Sequence, residues 1–206
     1  MTKTYFQKTY HLNRFLVISL TYSFGLSFAS KLLSELLLFQ SSQTETIRKL
    51  LAFIIDKVSL LLELSNKVSI VLLLSLVVLV GIELYQRIVN DLLLNYWKSI
   101  YQTIRLKAFL KQELTYEPIE TDGNQTANYK NPVLIQFNKA VRWLVVDIRK
   151  DNVTVLLKAP HTQQAQKLFK EMEDDIREEI SNRNPDYYFS SPEREGSDLW
   201  FIGTER

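Results

Sequence analysis

Two long apolar runs dominate the first half of the chain. Residues 15–30 and 68–82 contain no charged side chain. A helix rises about 1.5 Å per residue and the hydrocarbon core of a bilayer is about 30 Å thick, so a membrane span needs roughly 20 mostly apolar residues. Each run reaches this length when it is extended to polar residues that can lie at the interface. The pattern therefore predicts two membrane spans, at about residues 12–31 and 64–85.

Two other interpretations of these runs stay open. A buried helical hairpin in a soluble bundle also carries apolar runs of this length. The first run also has the features of a cleaved signal peptide, because basic residues precede it and the small-x-small sequence of residues 27–29 lies at its end. Three aromatic residues upstream are typical of an uncleaved interfacial segment instead: Tyr5, Phe6 and Tyr10.

Basic residues flank the two predicted spans on the sides away from their connecting loop. Lys3, Lys8 and Arg14 precede the first span, and a run of basic residues from Arg87 to Lys111 follows the second. Cytoplasmic segments of membrane proteins carry an excess of Lys and Arg. We therefore expect a multi-pass membrane protein with both termini in the cytoplasm.

Apolar positions at helical spacing predict two further helices in the first 115 residues. Ser42 and Glu45 have the spacing of a capping box and begin an amphipathic helix over residues 43–64, which would lie in the outer interface or pack on neighbouring spans. Residues 86–113 contain neither Gly nor Pro and predict a stalk helix. Its apolar stripe needs cover from the membrane surface or from a second copy, which favours a homo-oligomer. The stripe comprises Leu84, Ile88, Leu92, Tyr96, Ile100 and Ile104.

A row of serines lies along one face of the first predicted span. Small residues on one face allow two helices to approach closely, so a packing seam is one interpretation. The other is that several copies of this face surround a weakly polar pathway through the membrane. The row comprises Ser19, Ser23, Ser27, Ser30 and Ser34.

The chain changes character after residue 115. Residues 116–132 are polar and turn-rich, and they predict a linker. Residues 133–206 then alternate strand and helix signals, although residues 133–141 suit either. The other predicted elements are strands at 143–148 and 153–157, a helix over 162–183, and strands at 187–190 and 199–202. The predicted fold is thus an α-helical membrane hairpin with amphipathic helices in residues 1–115, followed by a small cytosolic α/β domain.

Composition excludes several classes of function. The 206-residue chain has a formal net charge of +2 and no Cys. It is not basic enough for a nonspecific binder of double-stranded nucleic acid, and it lacks disulfides and Cys-based metal sites. The acidic residues between 171 and 179 suit a solvated helix face better than a divalent-ion site. Without a phosphate-binding loop or a nucleophile motif, we expect a protein that is not an enzyme and needs no cofactor.

The best candidate site is the predicted junction of a strand and a helix near residue 160. Helix N-termini attract negative groups, yet residues 161–170 contain no acid, and Lys158 and His161 add positive charge suited to a phosphate. Basic residues of the preceding turn could extend the site, and an aromatic ring could stack on a base. An ordinary capped helix start is the alternative. The predicted ligand-binding residues are Lys158, His161, Thr162, Gln163, Arg149, Lys150 and Tyr187.

Two membrane helices followed by a small cytosolic domain with an anion-suited helix start resemble the membrane effectors of bacterial antiviral signalling. These include the membrane proteins of type III CRISPR systems that sense cyclic oligoadenylate. The resemblance lies in the arrangement of the whole chain rather than in a sequence motif. It implies an oligomeric receptor whose cytosolic domain binds a cyclic nucleotide or oligonucleotide and which acts on the lipid bilayer in antiviral defence. The alternative is a membrane accessory or assembly protein of a conjugation or secretion machine that binds a protein partner.

Overall fold

The computed structural model describes residues 1–39, 45–114, 116–121 and 125–206. Its Cα positions form two compact units. One unit is Thr9–Glu83, and the other combines Met1–Lys8 with Leu84–Arg206. The division therefore falls near residue 84, upstream of the predicted border at residue 115.

The unit Thr9–Glu83, called the first unit below, consists mainly of two long helices. Helix α1 is Tyr5–Phe39 and helix α2 is Glu45–Asn90. Both predicted spans lie inside them, and both helices contain stretches long and apolar enough to cross a membrane. Most of their large apolar side chains point outward, as Phe28 at 71 % exposure and Val71 at 63 % illustrate. The chain itself therefore does not bury this hairpin as the core of a soluble bundle.

Serine hydroxyls join α1 and α2 within the first unit. The Ser23 hydroxyl lies 2.8 Å from that of Ser69, and the Ser27 hydroxyl donates to that of Ser65 at 2.9 Å. Ser27 follows Ser23 in α1, whereas its partner Ser65 precedes Ser69 in α2, so the two helices run antiparallel. The serine row of the sequence is thus an intramolecular packing seam at these positions, completed by serines of the second helix.

The predicted interfacial helix and the second predicted span are one continuous helix. Residues 45–80 contain neither Gly nor Pro, and a salt bridge of 2.7 Å between Glu63 and Lys67 joins successive turns across Ser65 and Asn66. The 46 residues of α2 extend about 69 Å at 1.5 Å per residue. Ser42, the expected cap, lies outside the described residues.

The predicted stalk is interrupted. Helix α2 ends at Asn90, and helix α3, Leu93–Leu110, begins after Asp91 and Leu92. Leu92 has extended backbone angles, and the Asp91 carboxylate accepts hydrogen bonds from the backbone N–H of Lys150 and the side chain of Asn95. The local sequence contains no helix-breaking residue here, so the helix ends because of these tertiary contacts. The predicted apolar stripe is not a buried face either, because Ile88, Leu92 and Ile104 are exposed while Tyr96 is buried.

A hairpin forms where the sequence predicted a linker. Strand β1, Tyr116–Thr121, pairs antiparallel with strand β2, Gln125–Lys130. The turn between them, at residues 122–124, lies outside the described residues.

The remaining elements form an antiparallel sheet with helices. The sheet order is β3-β4-β7-β5, and β6 pairs with the other end of β7. The ambiguous segment is a helix, capped by the Asn131 side chain, and the predicted helix over 162–183 is divided at Met172. The elements are α4 Pro132–Arg142, β3 Val145–Ile148, β4 Asn152–Lys158, α5 Gln163–Glu171, α6 Glu173–Arg183, β5 Tyr187–Phe189, β6 Glu193–Glu195 and β7 Asp198–Glu205.

The two faces of this sheet are covered differently. One face packs on α3 to α6 and forms the hydrophobic core, which includes Val155, Phe201 and the predicted helix positions Phe169 and Ile176. The opposite face meets the first residues of the chain, where the Gln7 side chain donates to the Thr154 hydroxyl at 2.9 Å. The sheet is thus an internal layer of the second unit.

Helix α3 closes the outer edge of this sheet with side-chain hydroxyls. The backbone N–H of Val146 donates to the Thr103 hydroxyl, and that of Ile148 donates to the Ser99 hydroxyl, both at 2.9 Å. Each hydroxyl in turn donates to a carbonyl one turn back in α3. Edge strands expose unpaired N–H groups, so this seam satisfies the edge that β3 would otherwise present.

Candidate functional site

A basic pocket lies between α4 and the junction of β4 with α5. It has a volume of about 100 Å³, and its lining includes Lys139, Trp143, Lys158 and His161. The Lys158 ammonium group lies over the Trp143 ring, 4.8 Å from its centre. The described residues of this lining include no acid. The pocket therefore offers positive charge beside an aromatic surface.

The first turn of α5 limits what this junction can offer. The Thr162 hydroxyl accepts from the Ala165 N–H at 3.4 Å, and the Gln166 side chain donates to the Pro160 carbonyl at 2.8 Å. Gln163 begins the helix, and its first turn carries no acid. Thr162 is thus a helix cap, whereas Lys158 and His161 line the pocket.

A second cavity adjoins the basic pocket across Ala159 and Pro160, which line both. Its volume is about 340 Å³, and its charged lining residues are Lys167, Lys170, Arg194 and Glu173. Ligand pockets usually measure about 300–1,000 Å³, so the basic pocket alone is large enough for a phosphate group but not for a whole nucleotide. A ligand larger than phosphate would have to extend over the ridge between the two.

Three of the predicted site residues lie elsewhere. Arg149, Lys150 and Tyr187 meet at the turn between β3 and β4, where the Tyr187 hydroxyl donates to the Arg149 and Lys150 carbonyls at 3.0 and 3.1 Å. Strand β4 separates this turn from Lys158 by about 20 Å, at 3.3 Å per residue. The seven predicted residues therefore form two groups, and of all seven only Lys158 and His161 line the basic pocket.

Tyr187 lies near several carboxylates, and its hydroxyl has a structural role. Desolvation by burial, together with nearby carboxylates such as Glu205 and Asp186, raises the pKa of the Tyr187 hydroxyl above its ordinary value of 10.0. The hydroxyl is therefore a proton donor at neutral pH, and it holds the turn through two carbonyls.

A buried ionic cluster, not predicted from the sequence, connects the end of α2 to the sheet. The fully buried Arg87 guanidinium contacts the Asp147 carboxylate at 2.6 Å, the Asp91 carboxylate at 3.1 Å and the Ile148 carbonyl at 2.9 Å. Arg149 contacts the second oxygen of Asp147 at 3.2 Å. The sequence did contain a sign of this cluster. Asp147 is the one charged residue in an otherwise apolar strand, and a buried carboxylate requires a partner.

Aromatic rings complete the surroundings of Arg87. Its guanidinium carbon lies 5.2 Å from the centre of the Phe6 ring and 5.7 Å from that of Tyr96. Contacts of this kind are favourable, and more so when they are desolvated. The cluster fixes the last turns of α2 and the first residues of the chain to the sheet.

The other cavities are less suited to an anion. One of about 510 Å³ includes Asp174 and Glu178 beside Arg177 and Arg206, and one of about 330 Å³ includes Asp186 beside Lys98 and Arg183. Each thus places a carboxylate among its cations, unlike the basic pocket. Within the described parts of the chain, no group of three His, Cys, Asp or Glu side chains could hold a metal ion. Two acidic residues of α6 form ion pairs along the helix instead, Asp174 with Arg177 and Glu179 with Arg183.

Comparison of the chain with protein-family models, with curated proteins and with solved structures finds no match. The function therefore has to be argued from the residues of the pocket and from the helices.

Proposed function

We propose that this protein is a membrane-anchored receptor whose α/β domain binds a phosphate-bearing nucleotide ligand at the basic pocket. The observation that carries the proposal is the juxtaposition of Lys139, Lys158 and His161 with the Trp143 ring and without an acid. Cations contact phosphate, and an aromatic face stacks on a base. The adjoining basic cavity gives a ligand with more than one nucleotide a second place to bind.

The membrane part of the proposal is supported by the outward-facing apolar surfaces of α1 and α2. Monomeric soluble proteins rarely expose contiguous apolar patches larger than a few hundred square ångströms. The proposal places α1 and α2 across the inner membrane, with both chain ends in the cytoplasm.

Contacts of the first residues support this topology. Lys3 forms a 2.6 Å salt bridge with Asp198, and the Phe6 ring packs edge-on against Tyr96. Residues that contact one another lie on one side of a membrane, so these contacts support the placement of the N-terminus in the same compartment as the α/β domain. Cleavage near residue 29 would remove these contacts, which favours an uncleaved first helix.

The response of the membrane region is the remaining element of the proposal. By the resemblance in layout, ligand binding in the cytoplasm would act on the bilayer through an oligomer of this chain in antiviral defence. The Arg87 cluster supports this coupling, because it attaches α2 to a strand of the ligand-binding domain.

Calorimetry on the detergent-solubilised full chain tests the ligand. Inorganic phosphate, AMP and linear and cyclic oligoadenylates are titrated against the unmodified protein and against Lys158→Glu. The substitution removes an attraction and adds a repulsion, so we expect affinity to fall by about tenfold to hundredfold, the equivalent of roughly 1–3 kcal/mol. Binding should also weaken with salt.

Lys150→Glu is the matched control. It makes the same charge change at an exposed position on the far end of β4, and we expect little loss of affinity. If no ligand of the panel binds more tightly than millimolar, the receptor proposal fails and the assembly-protein alternative replaces it. Equal losses in both variants would show a nonspecific charge effect instead of a site.

A further inference from the structure

Helix α3 is apolar on its outward side, and its inward side mixes polar residues with the buried Tyr96, Leu106 and Leu110. The side that packs on β3 carries Ser99 and Thr103, which are fully buried and hydrogen-bonded to the strand. The opposite side carries Trp97 at 68 % exposure and Ile104 at 57 %, with Tyr101 between them. The outward side of a surface helix in a soluble protein is usually polar.

The spacing of these residues makes the exposed side one continuous stripe. Positions 97, 101 and 104 are four and three residues apart, which places them on one face of a helix. Leu93 and Leu94 extend the stripe toward the start of the helix, and both are exposed. We call Leu93, Leu94, Trp97, Tyr101 and Ile104 the outer stripe of α3.

We propose that the outer stripe docks on the cytoplasmic surface of the bilayer, so that α3 lies in the membrane interface. Trp and Tyr concentrate at the level of the lipid headgroups, and Leu and Ile enter the acyl boundary. Helix α3 contains no acid but has Lys98, Arg105 and Lys107. This charge suits the anionic lipids of a cytoplasmic leaflet.

Chain connectivity keeps α3 close to that surface. The predicted span of α2 ends at about residue 85, the helix continues to Asn90, and α3 begins at Leu93. Five helical rises and three residue steps keep Leu93 within about 18 Å of the end of the span, which compares with a headgroup layer of roughly 5–8 Å on each side of the bilayer. The inference rests on the membrane placement proposed above, because a helix that crosses the bilayer delivers α3 to the interface.

A second copy of the chain fits the outer stripe less well. In a symmetric contact the same patch meets itself, so Lys98 and Arg105 beside the stripe would approach their own counterparts without an acid in α3 to neutralise them. Arg105 is instead positioned above the Tyr101 ring, with its carbon 5.4 Å from the ring centre and its Nε 3.1 Å from the hydroxyl. An arginine over an exposed tyrosine is compatible with a phosphate headgroup above both.

Site-directed spin labelling of the full chain tests the inference, because the sequence contains no Cys. Ile104→Cys places a label in the outer stripe, Val77→Cys places one on the apolar surface of α2, and Lys170→Cys places one on an exposed helix of the sheet domain. Each variant is reconstituted in nanodiscs with anionic lipid at one copy per disc. Collisions of the label with oxygen and with a water-soluble nickel complex are then compared.

We expect the labels at positions 77 and 104 to collide mainly with oxygen and the label at 170 to collide several-fold more with nickel. A lipid-exposed label at 77 with a water-exposed label at 104 would overturn the inference while the membrane placement survives. Water exposure at both 77 and 104 would overturn both. Dipolar broadening at 104 in two-copy discs, with loss of oxygen collisions, would assign the stripe to a second copy and overturn the inference.

Discussion

Replacing Arg87 with Met should destabilise the sheet domain strongly. Met retains apolar volume between the Phe6 and Tyr96 rings but removes every charge-assisted hydrogen bond of the guanidinium. The Asp147 carboxylate would stay fully buried with Arg149 as its remaining cationic contact, at 3.2 Å. The carboxylate of Asp91 would lose a contact at 3.1 Å as well. Removal of one partner from a buried ion pair costs about 3–5 kcal/mol.

Urea unfolding of the full chain in nanodiscs measures this loss. Fluorescence of Trp143 and Trp200 reports on the sheet domain. With a denaturant slope of about 2 kcal/mol per molar, the expected loss lowers the midpoint by about 1.5–2.5 M. The double variant Arg87→Met with Asp147→Asn removes both charges, and its loss should be smaller than the sum of the two single losses.

Arg177→Met is the matched control. Arg177 contacts Asp174 at the same distance, 2.6 Å, but its side chain is 38 % exposed and that of Asp174 is 84 % exposed. Exposed pairs contribute at most about 1 kcal/mol. If Arg87→Met lowers the midpoint no more than Arg177→Met does, the argument that burial gives this cluster its energetic weight is wrong.

Two further predictions concern hydroxyl groups of the sheet domain. Thr103→Val leaves the buried Val146 N–H without its acceptor and should lower the free energy of unfolding by about 1–3 kcal/mol. The control Thr204→Val, at an exposed position, should change it by less than about 0.5 kcal/mol. Equal effects of the two substitutions in the urea assay would contradict the edge-closing role of α3. Because the pKa of Tyr187 is raised in the folded state, the unfolded state loses this proton first, so the free energy of unfolding should fall as pH rises through 10.0 and above. Tyr187→Phe should flatten this alkaline decline relative to the unmodified protein, at a cost of about 1 kcal/mol at neutral pH for the lost hydrogen bonds, and an unchanged slope would refute the assignment.

Local periodicity predicted the elements of the sheet domain well. Ala165, Phe169, Met172, Ile176 and Ile180 lie on one helical stripe in the sequence. Four of them are buried, and Met172, where the helix is divided, is partly buried. Such a stripe depends on the residues of one segment. It can therefore be recognised without knowing the tertiary structure.

The orientation of α3 could not be predicted by the same rule. The rule turns apolar residues inward. Tyr96, Leu106 and Leu110 follow it, but Asn95, Ser99 and Thr103 are buried on the same side of the helix. The burial of Ser99 and Thr103 is favourable because the edge strand β3 needs hydrogen-bond partners at that place. This need is a property of the assembled sheet and has no signature in the helix itself.

The hairpin register explains the partial success with the site. Lys158 and His161 are close in sequence, so their proximity was predictable. Trp143 was missed, although the pairing of Val145 with Leu156 places residue 143 beside residue 158 when it is extended by two positions. The same register puts Arg149 and Lys150 at the turn, far from Lys158. Pairing the two predicted strands residue by residue would have placed Trp143 beside Lys158 and would have placed Arg149 and Lys150 at the distant turn.

The hydroxyl seam of α3 has a consequence for biosynthesis. Synthesis proceeds from the N-terminus, so the ribosome delivers the helix that closes the sheet before it delivers the strand that needs closing. Helix α3 has therefore been synthesised when Val146 and Ile148 emerge. Nascent β3 therefore meets its partner at once, and its edge has little time to pair with another chain. A gene fragment that starts after α3 would lose this protection and should yield an aggregating product.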